Sequence, residues 1–432
     1  MCHSNKFAVF ALFFFFLLVI SCRQEDVNGP SLKILSPVDG YVTDSKGTIA
    51  FHVEATDNVN VQYIRASLFD ENGRAVGRAL VLQTSGKEVE WKDEYVIEDS
   101  MLLSGNYKLM FFAGDGRQEV SRSVNVKIQG IPQITLGILV FTETPYSKIN
   151  VYQIDSSGSN TLLMTLDADY LDAHIDNFYH RCYFMPKSKG KFHAINTQTG
   201  NVSWTISPVS TLSPTWFQGF SLINHKIYVG DYNAGLQVYD HNKDREMFTT
   251  LPEGYMGKKF LHHNNRTYIY MTHRSLGVQN KVLVYNLAMI QIRDITFGYN
   301  LKEWFREDDR LVTVFYNQQN EIKIASLDTE YGNINIRQTI SGSTLNQVIR
   351  LSNTKFLLAT STGIVEYENT GAFSATMLLP HENVVSVEPN ENGSLIAAVS
   401  GQEVFIFHLS DREIVKRYDF PYDIKKALWV LN

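Results

Sequence analysis

From Gln133 onward the chain repeats one alternation of apolar and polar positions. A polar turn leads into an apolar strand, a short break, and a second strand that ends on an aromatic or small residue ahead of a polar one. Equivalent places in the repeat are Tyr152, Ala194, Tyr239, Tyr285, Ala325, Tyr367 and Phe407, separated by 42, 45, 46, 40, 42 and 40 residues. Spacing of that order, built of short strands, predicts a β-propeller of four-stranded blades around an axis. One unit reads Phe217–Leu222, a turn at Asn224-His225, Lys226–Gly230, a break at Tyr232–Gly235, Leu236–Asp240 and Glu246–Leu251, giving four strands A to D. Near-continuous apolar runs such as Val282–Tyr285 suit strands covered on both faces, as stacked blades require.

Complete units start near Asp172, Phe217, Lys258, Leu301, Leu345 and Val384. An early fragment, Gly137–Phe141, Lys148–Asp155 and Leu162–Leu166, supplies strands B, C and D without an A strand. A late fragment, Ile424–Leu431, is one strand with nothing after it. Together the fragments complete a blade, which predicts seven blades over residues 133–432, closed when the late strand joins the first sheet. Such closure removes both free sheet edges.

Residues 31–130 follow a different pattern. Ile49–Ala55 alternates faces like a half-buried strand, Val61–Phe69 is another, and the turn signals Asp57-Asn58 and Asp70–Gly73 lie between strand-like runs. Later runs at Glu88–Ile97, Tyr107–Ala113 and Val120–Ile128 predict a β-sandwich of roughly seven strands. Its opening, Ser36-Pro37 with Gly40 and Ala55-Thr56-Asp57, resembles the immunoglobulin-like modules of bacterial surface lipoproteins. Asp57, Asn58 and Asp70 are read as turn formers, with a calcium site as the alternative. The fold class expected for the whole chain is therefore all-β, an immunoglobulin-like sandwich followed by a propeller.

Ahead of both lies an apolar run from Phe7 to Ile20, of the length of a signal-peptide core and too short to span a bilayer. It ends in Val19-Ile20-Ser21-Cys22, which resembles the lipobox of bacterial lipoproteins; a plain cleaved signal or a retained anchor is the alternative. The resemblance implies a signal peptide over 1–21, acylation of Cys22, a linker over 22–30 and attachment to a membrane through the lipid. Arg23-Gln24-Glu25-Asp26 resembles the acidic surface-export signal of lipoproteins of the Bacteroidetes type, which implies an outer-membrane lipoprotein exposed at the cell surface, with the periplasmic face as the alternative.

Charge narrows the partners. The whole chain carries Lys+Arg 39 against Asp+Glu 45, and removing a leader that holds only Lys6 leaves it more acidic still. An acidic surface argues against nucleic acid, whose phosphates need a cationic footprint. Beyond Cys2 and Cys22 the only cysteine is Cys182, in the apolar run Arg181–Phe184, where it reads as buried and inert.

The stretch Phe192–Trp204, with its Asn196-Thr197-Gln198-Thr199-Gly200 turn, resembles the repeat of quinoprotein-like propellers, whose tryptophan docks on the next blade. Looser echoes are Asp155–Gly158 and Leu409–Glu413. The resemblance implies the fold of residues 133–432. Quinoprotein dehydrogenases have eight blades, a vicinal cysteine pair and acidic calcium ligands, and Cys182 has no cysteine neighbour, so no cofactor is expected.

Catalytic motifs are sparse. His381-Glu382 opens like a zinc-protease helix but has valine at its fifth place, and His262-His263 are adjacent on a strand and so point to opposite faces. Asp167, Asp169, Asp172 and Asp176 form an acidic cluster that reads as loop solvation or, alternatively, as the carboxylates of a propeller glycosidase. What remains is the face made by the D–A and B–C connections, where aromatics recur at Tyr170, Trp216, Tyr255, Tyr299 and Tyr422. Flat apolar rings with polar tips suit stacking on sugars or anchoring a peptide. The sequence thus points to a non-catalytic, membrane-anchored lipoprotein holding a glycan, peptide or protein partner, as an accessory to nutrient uptake. The alternatives are a scaffold like the propeller lipoprotein of the outer-membrane barrel-insertion machinery, and a polysaccharide hydrolase or lyase.

Overall fold

The computed structural model describes residues 28–432 apart from 71–74, 98–101, 103, 131–133, 210–215, 264–265, 276–278, 287 and 308–309. Cys22 and the leader therefore lie outside the described residues. The chain divides into two compact units, Met1–Pro132 and Gln133–Asn432. All regular elements among the described residues are strands.

In the first unit Ser31–Ser36 and Tyr41–Asp44 precede two strands of 22 residues each, Thr48–Phe69 and Ala75–Val96, followed by Gly105–Gly114 and Glu119–Gln129. The number of strands falls below the expected seven because the long pair runs through places that read as breaks. Asp57 does form a turn device, its Oδ1 accepting from the Val59 and Asn60 amides at 2.7 Å, but the strand carries on through a register shift between Thr56 and Val61. Asp57 thus serves its own backbone. Alternate residues of Thr48–Phe69, among them Ile49, Val53 and Ala55, are fully buried and join Trp91, Tyr95, Leu109 and Phe111 in one core. Tyr41–Asp44 pairs in parallel with Val126–Gln129, while Ser31–Ser36 pairs antiparallel with His52–Thr56.

The second unit is a β-propeller of seven four-stranded sheets. Blades 2 to 7 each use four consecutive strands, with innermost strands Asp172–Asp176, Phe217–Ile223, Tyr255–His263, Asn300–Arg306, Leu345–Arg350 and Val384–Pro389. Blade 1 takes its innermost strand, Asp423–Leu431, from the far end of the chain and adds Thr135–Glu143, Ile149–Asp155 and Asn160–Leu166. The late fragment thus closes the ring. Asparagines secure it: Asn177 Oδ1 accepts from the Leu431 amide at 3.0 Å, and Asn432 Oδ1 accepts from the Ile134 amide at 2.7 Å.

Apolar clusters bridge neighbouring blades. Tyr183, Phe192 and Ala194 of blade 2 meet Phe217, Phe220 and Val229 of blade 3, and Tyr268 and Val284 of blade 4 meet Trp304 and Val314 of blade 5. Trp204, on the outermost strand of blade 2, donates its indole N–H to the His241 carbonyl of blade 3 at 2.9 Å, the docking that its repeat implied. Cys182 is fully buried, and burial pushes its thiol far up.

A single device turns the third strand into the fourth. Asp155, Asn196, Asp240 and Asp328 each use Oδ1 to accept from two amides two to four residues on, at 2.7–3.0 Å. In every blade that turn holds a left-handed residue, Gly158, Gly200, Lys243, Met289, Gly332, Gly371 or Arg412, and blade 6 adds Phe373. Four of these are glycine, for which the conformation carries no steric cost, and the rest are not.

Candidate functional site

Innermost strands line the axis, and their pairing with the second strand is irregular, as is that of the third strand with the fourth. In blades 1 and 3–7 each shows a register shift near its start, so that one residue is left without a partner on the second strand. Those residues are Lys425, Gln218, Lys258, Lys302, Asn346 and Val385. Four are followed at once by a second polar side chain, giving Lys425-Lys426, Lys258-Lys259, Lys302-Glu303 and Asn346-Gln347. A bulge re-aims side chains that alternation would send into the blade interfaces, and here it sets a polar collar at one level of the axis. Blade 2 contributes Asp172 and His174 instead.

Contacts within the collar cross blade boundaries. Lys258 Nζ donates to Gln218 Oε1 at 2.7 Å, Lys259 Nζ pairs with Glu303 Oε2 at 2.8 Å, and Asn346 Nδ2 donates to the Val384 carbonyl at 2.8 Å. Lys425 Nζ lies 3.1 Å from Glu143 Oε2, and His174 Nε2 lies 3.3 Å from Asp172 Oδ2. Burial opposes the charge on Asp172, yet His174, Lys426 and Lys259 hold its carboxyl far below the usual range. Lys259 stands two blades away from Asp172, so the charges converge across the axis. Lys259 is itself raised by Glu303 and Asp172 against the effect of burial. Burial pushes Glu388 up, with Asp172 adding to the shift and Lys426 and His174 opposing it.

The lysines are not equally matched. Lys258 has a neutral amide oxygen as its hydrogen-bond partner, and Lys302 has neither a hydrogen bond nor an ion pair among the described residues. Burial lowers both, and for Lys302 the charge of Lys259 lowers it further.

The five aromatics expected at the rim divide into two groups. Trp216 and Tyr255 are 5% and 8% exposed and sit in the cores between blades 2 and 3 and blades 3 and 4. Their rings fill the space between sheets because each connection at this end crosses from one sheet to the next, so as placed they offer no stacking surface. Tyr170, Tyr299 and Tyr422 are half-buried. Tyr170 leans on Phe141 and Phe184, and its enclosed hydroxyl has no hydrogen-bond partner among the described residues. Tyr299 stacks on Tyr316 at 4.4 Å, and its carbonyl accepts from Tyr270 and Asn280 at 2.9 and 2.8 Å.

Other sequence candidates are dispersed. Asp167 pairs with Lys189 at 2.6 Å, Asp169 Oδ1 accepts from the Lys187 amide at 2.9 Å, and Asp176 faces His225 at 3.0 Å, so the four aspartates do not act together. His381 stacks on Phe405 at 4.6 Å and lies 3.7 Å from Glu403. No group of three or more metal-ligating side chains occurs among the described residues. The axial lysines escaped the sequence reading, although a signal existed: polar doublets interrupt apolar innermost strands at 258–259, 302–303, 346–347 and 425–426.

No protein-family profile matches this chain, and no curated protein matches it. Among solved structures it is similar to a quinoprotein alcohol dehydrogenase-like protein from Bacteroides thetaiotaomicron, at 12% identity and a TM-score of 0.44, with 93% of this chain and 99% of that one covered. A dihydro-heme d1 dehydrogenase, NirN, shares 11% identity at a TM-score of 0.45 over 69% of this chain and 76% of its own. A computationally designed protein, Ika8, shares 9% identity at a TM-score of 0.43 over 68% of this chain and 90% of its own.

Proposed function

We propose that this chain is a non-catalytic binding lipoprotein of the outer membrane, anchored through Cys22, whose propeller holds its ligand at the axial collar. The observation that carries the reading is the collar itself. Six blades spend the same bulge on one level of the axis, and four of them place consecutive polar side chains there. Interior strand positions are apolar by default, and polar ones carry a desolvation cost that a ligand can offset. We read the first unit as an immunoglobulin-like spacer, a reading supported by the parallel pairing of Tyr41–Asp44 with the last strand and by the single shared core.

Occluding the axis tests this role. Val385→Trp places a bulky ring at the collar from a half-buried apolar position. Screened against glycan and peptide panels, the native chain should bind a ligand that the variant loses while its melting temperature changes little; equal binding by both would move the site elsewhere. Protease shaving of intact cells tests surface exposure, and loss of the chain from shaved cells is the expected result.

One observation favours a second reading, a polysaccharide hydrolase or lyase: Asp172 is held ionised while its neighbour Glu388 is pushed towards the neutral acid. Product analysis of bound oligosaccharides separates the two, since a binding protein returns its ligand uncut.

A further inference from the structure

We propose that Lys258 and Lys302 form a seat for the carboxylate of an acidic sugar at the propeller axis. The proposal rests on the binding role above and names the ligand chemistry of that same site. Three of the five axial lysines are balanced: Lys259 by Glu303, Lys425 by Glu143, and Lys426 by Asp172 and Glu388. Lys258 and Lys302 are not. They occupy the same bulge position on the innermost strands of adjacent blades, so their side chains leave the backbone at one level, side by side around the axis. Lys259, next to Lys258 on the same strand, is a third cation whose charge acts on Lys302.

Half-buried ammonium groups without counter-ions destabilise the fold, and a hydrophobic residue at either position would remove that cost. An anion placed between the two would be met by charge-assisted hydrogen bonds from both, in surroundings where burial strengthens them. A pair of point charges suits a single compact carboxylate better than a polyphosphate chain, which needs an extended cationic track that this acidic protein lacks. The collar amide Asn346 gives its Nδ2 to the Val384 carbonyl and keeps its Oδ1 for an alcohol group, and half-buried Tyr299 lies in the connection leading to the strand of Lys302. An amide, a tyrosine and an anion seat together describe a hexuronate rather than a neutral sugar.

Calorimetric titration of the full chain with trigalacturonate, neutral galactotriose, triglutamate and inorganic phosphate tests this. Trigalacturonate should bind, galactotriose should not, and Lys302→Gln and Lys258→Gln should each weaken binding by about tenfold or more, the worth of one charged hydrogen bond. Both variants remove a half-buried charge and should keep the native circular dichroism. The NMR titration of the Lys302 side chain should move to higher pH when trigalacturonate is added, which a purely structural lysine would not show. Equal, lysine-dependent binding of triglutamate would replace the sugar by an acidic peptide, and equal binding of phosphate would reduce the site to a free-anion seat; each overturns the proposal. Binding of galactotriose or of other panel ligands that ignores Lys302→Gln overturns it while leaving the axial binding role standing. Failure of trigalacturonate to bind at all overturns it too.

Discussion

Lys302 should cost the fold stability, and this gives it a test independent of any ligand. Its folded pKa lies below the 10.5 of the free side chain because burial and Lys259 oppose the charge. Between the lowered folded value and the unfolded one, the unfolded chain binds more protons, so this group's contribution to stability rises with pH across that window. Lys302→Met should therefore raise the melting temperature at pH 7 and flatten the alkaline limb of the stability profile; a lower melting temperature would show that the ammonium is satisfied. Glu303 is the converse case. Glu303→Gln leaves Lys259 without its ion-pair partner and should destabilise by about 1–3 kcal/mol in denaturant unfolding, the worth of a charged hydrogen bond in a half-buried pair. Trp216, 5% exposed, should behave as a core residue, with Trp216→Ala costing about 3–5 kcal/mol.

At the scale of the strand and the turn, two features recur around the ring and can be varied. Lys243, Met289 and Arg412 hold the left-handed place that glycine fills in four other blades. Exchange of each for glycine should stabilise by about 0.5–1 kcal/mol, the relief of a left-handed side chain less the entropy of the added glycine, read as a shift in denaturant midpoint. The bulged inner strands are the second. A Cβ added to Gly219 would overlap the Lys258 carbonyl oxygen, and one on Gly230 would overlap that of Gly257, so blades 3 and 4 meet backbone to backbone beside the collar. Gly219→Ala should destabilise by about 1–3 kcal/mol through overpacking and displace Lys258. Strand order was legible in the sequence because blades covered on both faces write unbroken apolar runs such as Val282–Tyr285. Bulges were not, since a register shift depends on which partner residue is skipped. Lys258 and Leu301 therefore read as the starts of strands that begin at Tyr255 and Asn300.

For the whole molecule, closure was legible because two incomplete units summed to one blade; the site was less so, because aromatic content marks packing and binding alike. Tyr170, Trp216, Tyr255, Tyr299 and Tyr422 do lie at one end of the blades, yet two of the five are interior. In the first unit the turn signal at Asp57 was real, but a strand of 22 residues absorbs an Asx turn as an irregularity, which sequence periodicity reads as an end. The hydrogen bond between Ile134 and Asn432 joins residues 298 apart, and Thr135–Glu143 finds its inner neighbour only in Asp423–Leu431. During synthesis the first sheet must wait, with an open flank, until nearly three hundred further residues have emerged. That delay makes maturation slow and invites pairing with a foreign strand in the interim, so productive assembly should depend on whatever chaperone shields that flank.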